Sequence, residues 1–396
     1  MIYLDNAATT KIHPDVLQEM MPYLQEEYGN AGTLYSLGTR ARDAVELARQ
    51  RVATYIGAKP EQIVFTSSGS EANNMVFYGV KKYLEQIGKK HVAISMVEHD
   101  SVYECATNLY APSVKNGEKT NIKDDFYTHY IPVERNCMLD MDKFLEILED
   151  ENIGLVSVMY SNNETGVVNP VHHVGKICRE RGILFHTDCV QAAGFYGIKV
   201  DDLQCDFLTI SGHKIHAPKG VGALYVRNKE IFNPMIYGGK SQEFGLRGGT
   251  QNVAGIVGLG KACEIATIGF KIYSMDMKMH FYDTLVKSLN HKKIIDINGD
   301  HLRGKVLNIR IKNVDAETLL MMLNERGVCI SAGSACRSHE AVPSRVLLAM
   351  GKTPDEAMES VRISFSAMNT LDEIHEAAEI VAECVNTLYE ISGAGE

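Results

Sequence analysis

The sequence predicts an α/β fold, with a large domain built on a mostly parallel central sheet and a smaller α+β C-terminal domain. Short apolar runs alternate with helix-like stretches, which is typical of a parallel sheet covered by helices. Two of these runs end in reactive side chains, since one leads into His186-Thr187-Asp188 and the next into Ser211-Gly212-His213-Lys214. Ligands bind beyond the carboxyl ends of strands in open α/β sheets, so we expect a site there.

Helices and strands can be placed along the chain from apolar spacing. Apolar residues recur at helical spacing over residues 14–28 and 39–56, and Pro14 suits the first turn of a helix. Further helices are predicted from Glu71 and over about 171–181. The strands that alternate with them are predicted at residues 63–65, 92–95, 155–159, 182–188 and 206–210.

A second, smaller domain is predicted from the C-terminal part of the chain. A long predicted helix over about 253–290 would bridge to this domain, which begins with a strand at 306–310 and ends with a helix over 371–390. The expected division is a large cofactor-binding domain over residues 15–260 and a small domain, carrying the catalytic cysteine loop, over residues 1–14 and 261–396.

Composition excludes several classes of protein. The chain has 396 residues, of which 45% are hydrophobic and 23% charged, as in ordinary globular proteins large enough for two domains. Its net charge of -10 argues against a general nucleic-acid surface, and no apolar run approaches the roughly 20 residues of a membrane span. The N-terminus lacks a basic segment followed by a long apolar run, so we expect a cytoplasmic protein that binds neither nucleic acid nor membrane.

The nine cysteines are scattered and include no Cys-x-x-Cys pair, so neither a disulfide framework nor a metal site is predicted. Most are expected to be small buried hydrophobic residues. Cys336 differs, because it lies among small residues next to Arg337, where an exposed loop and a neighbouring cation favour the reactive thiolate.

An acid on one predicted strand and a lysine at the end of the next suit a pyridoxal 5'-phosphate site. Lys214 lies in a tight turn, where partial desolvation favours the neutral amine that a Schiff base requires. Asp188 can keep the pyridine nitrogen protonated, and Gln191, one turn further on, can hydrogen-bond the ring hydroxyl. The competing interpretations are a surface lysine and a helix N-cap.

Other residues suit the phosphate and the reacting ring. Gly69 and Ser70 open a predicted helix, where backbone N–H groups favour an anion, although many helices begin with similar capping boxes. Ser211 and His213 would lie in the same pocket. His99 follows a strand and suits ring stacking and proton transfer, or alternatively a helix cap.

Two residues remain open between a site and a structural role. Asn163 is either a turn residue or a donor to the ring oxygen. Arg362 lies inside a predicted strand and requires an anion, which is either a substrate carboxylate or an internal salt-bridge partner. Lysine, acid and exposed cysteine together indicate sulfur chemistry on an amino acid.

Taken together, the motifs resemble the cysteine desulfurases of the IscS/NifS group, within the class-V aminotransferase-like, fold-type-I pyridoxal phosphate enzymes. The matching segments run in family order from residue 3 to about 365. They are YLDNAAT at 3–9, FTSSGSEANN at 65–74, EH at 98–99, NNETG at 162–166, HTD at 186–188 with Gln191, SGHK at 211–214, RGGT at 247–250 and SAC at 334–336.

The resemblance implies roles for the residues that hold the cofactor. Lys214 would form the Schiff base, His99 would stack over the ring as acid and base, Asp188 would pair with the pyridine nitrogen and Gln191 with the ring oxygen. The phosphate would be held by Ser70, Ser211 and His213, joined by Thr250 of the partner subunit.

The resemblance also implies the reaction. Asn163 and Arg362 would bind the carboxylate of L-cysteine. Cys336 would attack the sulfur of the cysteine–cofactor adduct, which leaves a persulfide on the enzyme and releases alanine. The family works as a homodimer with both active sites at the interface, and the sulfur passes to an acceptor protein.

Departures from the family pattern at 29–35 and 238–250 indicate a divergent member, and the polar stretch 111–128 is predicted to be a surface insertion. The acceptor is left open among an iron–sulfur scaffold, a tRNA-thiolation protein and a DNA-phosphorothioation partner. Two alternatives remain: another lyase or aminotransferase reaction on the same fold, with Cys336 incidental, and a non-enzymatic structural partner.

Overall fold

The computed structural model describes residues 1–112, 114–115, 118–119, 125–269, 273–299, 304–333 and 342–392. Its strands are β1 (Ile2–Tyr3), β2 (Ile63–Thr66), β3 (His91–Ser95), β4 (Val114–Lys115), β5 (Glu118–Lys119), β6 (Tyr127–Ile131), β7 (Ile153–Ser157), β8 (Leu184–Asp188), β9 (Phe207–Ser211), β10 (Gly222–Val226), β11 (Ile295–Ile297), β12 (Val306–Ile311), β13 (Val328–Cys329) and β14 (Ser360–Ser364).

The helices alternate with these strands through most of the chain. They are α1 (Pro14–Gln25), α2 (Ser36–Ile56), α3 (Gly69–Gln86), α4 (Asp100–Leu109), α5 (Met141–Ile147), α6 (Val171–Arg181), α7 (Val200–Leu203), α8 (Val253–Gly269), α9 (Tyr273–Ser288), α10 (Ala316–Glu325), α11 (Arg345–Ala349), α12 (Pro354–Met358) and α13 (Leu371–Ile391).

The central sheet joins seven of the described strands in the order β2-β10-β9-β8-β7-β3-β6. Neighbouring strands from β9 to β6 run parallel, whereas β10 runs antiparallel to both of its neighbours. Parallel strands end at the same edge, which brings the polar ends of β8 and β9 together. The predicted fold class, with a mostly parallel central sheet, is confirmed.

Helices cover the sheet on both faces. Along β3, Ala93 packs into a core with residues of α2, α6 and α8, whereas Val92 and Ile94 pack into a second core with residues of α3 and α4. Successive side chains of a strand point to opposite faces, so a sheet covered on both sides needs apolar residues throughout. Strands β2 and β7, for example, are apolar up to a polar last residue, Thr66 and Ser157 respectively.

The C-terminal part has its own core around the antiparallel sheet β11-β12-β14. Strand residues such as Ile309 and Ile363 pack there against α9, α10 and α13. Ile2 and Leu4 join the same core, and β1 pairs in parallel with β13. The N-terminal residues thus pack with the C-terminal part, while the exact division at residues 14 and 260 stays a prediction.

Two predicted segments differ in detail from the structure. The helix expected over 253–290 is described as α8 and α9, and residues 270–272 between them lie outside the described residues. Within the expected insertion at 111–128, β4 and β5 form an antiparallel pair, most of the rest lies outside the described residues, and β6 begins at Tyr127. None of the described helices combines the length and apolar character needed to cross a membrane.

Candidate active site

A cavity of about 200 Å³ lies where β8, β9 and the start of α3 meet. It is the meeting point that parallel strands create at their carboxyl ends. Most of the residues predicted from the sequence line it. They are Gly69, Ser70, His99, Asn163, Asp188, Gln191, Ser211, His213, Lys214 and Arg362.

Lys214 ends a single turn of 3₁₀-helix, Gly212–Lys214, that follows β9 directly. Its Nζ donates hydrogen bonds to the carbonyl oxygens of Ala7 (2.5 Å) and Ala8 (2.7 Å). The side chain is half-buried, and the N-terminal segment holds its amine inside the cavity. The segment at 3–9 matched the family pattern, but its sequence gave no sign of this role.

Asp188 ends β8 and is buried, and both of its carboxylate oxygens accept hydrogen bonds. Asn73 Nδ2 donates to Oδ2 at 2.8 Å, and the backbone N–H of Val190 donates to Oδ1 at 2.8 Å. Two residues earlier, His186 is enclosed between neighbouring strands, and burial lowers its pKa to about 3. This histidine is therefore neutral and does not neutralise the Asp188 carboxylate.

His99 caps α4, as weighed from the sequence, and it also lines the cavity, while its role on the cofactor ring stays a prediction. Its Nδ1 accepts a hydrogen bond from the backbone N–H of Ser101 at 3.1 Å. Burial lowers the pKa of His99, against the opposing charge of Asp188. A neutral ring whose Nδ1 is an acceptor carries its proton on Nε2.

The start of α3 supplies backbone N–H groups to the cavity. Ser68 caps the helix by accepting from the N–H of Glu71 at 3.1 Å, as a capping residue does. A Cβ on Gly69 would lie 3.0 Å from Val190 and 3.3 Å from Ser211, so glycine lets the helix start approach β9 closely. An anion at this point would meet the positive end of an 18-residue helix.

Ser211 and His213 line the same cavity as the start of α3. Ser211 is buried, and no partner for its Oγ is found among the described residues. His213 Nδ1 lies 3.2 Å from Thr9 Oγ1. Burial, and next the charge of Lys214, lower the pKa of His213 to about 4. The neutral ring can donate one N–H to an anion in the cavity.

Arg362 lies on β14, is 1% exposed and reaches the opposite side of the cavity. Its guanidinium donates to Asp5 Oδ1 at 2.8 Å and to the backbone carbonyl of Asn163 at 3.1 Å. The internal salt bridge weighed from the sequence is therefore present. Among the described residues no partner is found for Arg362 Nε or for Asn163 Oδ1.

The supporting roles of several residues were missed from the sequence, although two of these residues lie in segments that match the family pattern. Asn73, which holds Asp188, lies one turn after Gly69 on α3, and that spacing was the available signal. Glu98 is fully buried, accepts from the N–H of Met159 at 2.6 Å, and burial raises its pKa well above its usual range. No local pattern distinguishes such a buried carboxyl from an exposed one.

Arg345 connects the C-terminal part to the His99 segment, and it too was missed. It donates to the backbone oxygen of Glu98 at 2.5 Å and to Asp100 Oδ1 at 3.2 Å. Its guanidinium also lies over the Tyr103 ring, 3.9 Å from the centroid. These contacts fix the turn that carries His99.

Lys305 is a second lysine close to Lys214 and is 7% exposed. Its Nζ lies 3.5 Å from the backbone oxygen of Lys214, and both residues line a small cavity behind the site. Burial, reinforced by the charges of Lys214 and Arg362, lowers the pKa of Lys305 to about 7. Its place directly before an apolar strand was the only hint in the sequence.

The structure does not test the roles predicted for two further residues. Thr250 is exposed and borders a separate depression with Glu243 and Arg247. Cys336 lies outside the described residues. The roles predicted for both therefore stay predictions.

The cavity fits pyridoxal 5'-phosphate by the chemistry of its lining. It presents a lysine amine, a fixed carboxylate, a helix N-terminus and an arginine to one space. Buried polar atoms in groups lining it have no hydrogen-bond partner among the described residues, as expected where a polar ligand binds. These atoms are Asn73 Oδ1, Asn163 Oδ1, Gln191 Oε1, Ser211 Oγ and Arg362 Nε.

Comparisons with known proteins agree with this geometry. A profile of the family Aminotransferase class-V matches residues 2–376. A cysteine desulfurase of Nostoc sp. is 41% identical over 373 residues, which cover 93% of this chain and 89% of the relative.

Comparisons with solved structures indicate the same family. A NifS-like protein matches with a TM-score of 0.85 at 31% identity, covering 96% of this chain and 98% of its own. The structure of SspA in complex with cysteine matches with a TM-score of 0.79 at 32% identity, covering 93% of this chain and 100% of its own. The resemblance predicted from the motifs is confirmed. The chain therefore belongs to the aminotransferase class-V family and, within it, to the cysteine desulfurases.

Proposed function

We propose that this cysteine desulfurase holds pyridoxal 5'-phosphate on Lys214 and transfers the sulfur of L-cysteine to Cys336, releasing L-alanine. The observation that carries the proposal is the convergence of Lys214, Asp188, His99 and Arg362 on one cavity. A structurally similar protein, SspA, has been solved in complex with cysteine, which supports L-cysteine as the substrate.

The cofactor would be held from three sides. When bound, it supplies an electron sink for bonds broken at the amino acid. Asp188, fixed by Asn73 and the backbone of Val190, would face the ring nitrogen and keep it protonated. Gln191 Nε2 donates to the carbonyl of Ala7 at 2.9 Å, which leaves Oε1 to face the ring oxygen and accept its proton in a hydrogen bond.

The phosphate would lie at the start of α3. Gly69 and Ser70 would offer backbone N–H groups there, and Ser211 Oγ and His213 would add side-chain donors. Thr250 of the partner subunit would complete this group in a homodimer. Thr250 is exposed on its own chain, as a residue that reaches a partner's site must be.

Arg362 and Asn163 would bind the carboxylate of L-cysteine. Arg362 is held in place by Asp5 and by the backbone of Asn163. A carboxylate bound to an arginine makes a charge-assisted hydrogen bond, which is stronger than a neutral one and directional. This contact would hold the amino acid by its carboxylate in the cavity.

His99 would move the proton. Its neutral ring holds the proton on Nε2, because Nδ1 accepts from the backbone of Ser101. The neutral imidazole can take up a proton as a general base and return it from the resulting imidazolium, and the nearby charge of Asp188 would favour that cation.

Cys336 would take the sulfur atom. Its thiolate forms an S–S bond to the substrate sulfur as the C–S bond breaks, the electron pair stays with the carbon, and a proton added there gives alanine. The persulfide would pass to an acceptor, with an iron–sulfur scaffold, a tRNA-thiolation protein and a DNA-phosphorothioation partner as the candidates. We place the protein in the cytoplasm, where thiols stay reduced.

The test is turnover of L-cysteine by the cofactor-loaded protein, with alanine and sulfide measured together. The wild type and the matched control Cys105→Ala should both form alanine, whereas Cys336→Ala should not. Alanine from Cys336→Ala as well would show that Cys336 does not take the sulfur, as in another lyase reaction on this fold, whereas mercaptopyruvate in place of alanine would point to an aminotransferase. No alanine from the wild type, despite bound cofactor, would reject the proposed substrate.

A further inference from the structure

Two histidines and an aspartate converge at the β6 edge of the central sheet, away from the cofactor cavity. His91 Nδ1 lies 2.6 Å from Asp150 Oδ2, and His129 Nε2 lies 3.0 Å from the same oxygen. The two histidine nitrogens are 3.3 Å apart. None of the three residues lines the cavity around Lys214.

The sheet register produces this convergence. His91 begins β3 and pairs with Tyr127 of β6, so His129 lies two residues further along the edge strand. Side chains two residues apart on a strand share a face. Asp150 lies between α5 and β7, next to where β7 pairs with β3, and thereby reaches both histidines.

The three atoms have the spacing of a metal ligand set. Nitrogen and oxygen ligands lie about 2.0–2.2 Å from a tetrahedral Zn²⁺, so neighbouring ligand atoms are separated by about 3.3 Å. The histidine nitrogens already have that separation, and the Asp150 contacts are 0.3 to 0.7 Å shorter than it. Only small side-chain movements would place an ion between them.

The carboxylate is also oriented from behind. Asn152 donates to Asp150 Oδ1 through its backbone N–H at 3.0 Å and through Nδ2 at 2.9 Å. Both donors act on Oδ1 and therefore turn Oδ2 toward the histidines. Such outer hydrogen bonds are what fix ligating carboxylates in metal sites.

We propose that His91, His129 and Asp150 form a binding site for a divalent transition-metal ion that ties β3, β6 and the α5–β7 connection together. Two imidazoles and one carboxylate suit Zn²⁺ and related ions rather than Mg²⁺ or Ca²⁺, which prefer oxygen ligands alone. His129 and Asp150 are 21% and 25% exposed, which leaves solvent access for a water as a further ligand.

The test is to measure Zn²⁺ binding to the metal-stripped holoenzyme by calorimetry. Wild type should bind one Zn²⁺ per chain that His129→Gln and Asp150→Asn do not bind. Asn152→Ala should weaken this binding about 10- to 100-fold, as for other outer-sphere partners. All variants keep the same cysteines, so zinc bound by thiols cancels in the comparison.

His375→Gln is the matched control, because His375 also lies beside a carboxylate, 3.5 Å from Glu379, but outside any three-ligand group in the described part of the chain. It should bind Zn²⁺ as the wild type does. Equal zinc stoichiometry in wild type and His129→Gln would overturn the proposal and leave a hydrogen-bonded network only.

If a variant folds poorly, its thermal unfolding midpoint with and without Zn²⁺ provides a second test. Zn²⁺ should raise the unfolding midpoint of the wild type and of His375→Gln, but not that of Asp150→Asn, since a ligand stabilises only the state that binds it. The same rise in all three proteins would count against the site.

Discussion

Replacing Lys305 with methionine is expected to stabilise the apo-protein, most strongly at acidic and neutral pH. Lys305 is buried next to Lys214 and Arg362, and its pKa is lowered to about 7. Methionine fills a similar volume and has no charged group that loses its hydration on burial. The substitution therefore removes the cost of burying an ammonium group without opening a cavity.

The size of the effect follows from the pKa. An unfolded lysine has a pKa of about 10.4, so the folded state binds this proton about three and a half pKa units less well, or about 5 kcal/mol. Between pH 7 and 10.4 the unfolded state carries more protons, so stability rises with pH. The penalty should be about 5 kcal/mol at pH 6, about 2 kcal/mol at pH 9 and below about 1 kcal/mol at pH 10.

The assay is thermal and urea unfolding of apo wild type and Lys305→Met from pH 6 to 10. The difference between the two proteins should be largest at pH 6 and shrink steadily as the pH rises. Lys293→Met, at an exposed lysine of the same C-terminal part, should show no such trend.

A difference that stays constant over this range would refute the reasoning, because it would show that packing rather than charge separates the variants. A destabilised Lys305→Met protein at pH 6 would show that the ammonium has stabilising partners that outweigh its burial.

Three further changes test other parts of the structure. Arg362→Gln should raise the KM for L-cysteine about 10- to 150-fold, which is the equivalent of one charged hydrogen bond. Asp5→Asn should raise this KM less, and equal effects of the two substitutions would contradict carboxylate binding by Arg362. Arg49→Met removes the buried ion pair with Glu243, whose N–O distance is 2.8 Å. It should lower the free energy of unfolding by about 3–5 kcal/mol in urea titrations, and an unchanged free energy of unfolding would contradict this prediction. Iodoacetamide at pH 7 should label Cys336 first in mass spectrometry, and prior labelling of another cysteine would count against its thiolate character.

Much of the site was predictable because its signals are local. A buried strand must be apolar and must end in a turn, so the polar residues at its carboxyl end stand out in the sequence. Lys214, Asp188 and His99 were found in this way, as was the glycine at the start of α3. The parallel arrangement then implied that these ends meet, which the structure bears out.

The partners of these residues could not be found in the same way. Lys214 is held by carbonyls of Ala7 and Ala8, more than 200 positions away. Arg362 is paired with Asp5, at a separation of 357 positions. No local pattern records such contacts, because they arise only when two cores pack against each other.

The charged groups also separate what the sequence determines from what the tertiary structure decides. The sequence determined which titratable groups exist and which strands carry them, and hence the cysteine desulfurase family and the residues to test. Only the tertiary structure decided that Lys305 is buried beside Lys214 and that His91, His129 and Asp150 converge at one edge. Burial and proximity set the energy of a charge, and both depend on contacts between segments distant in the chain.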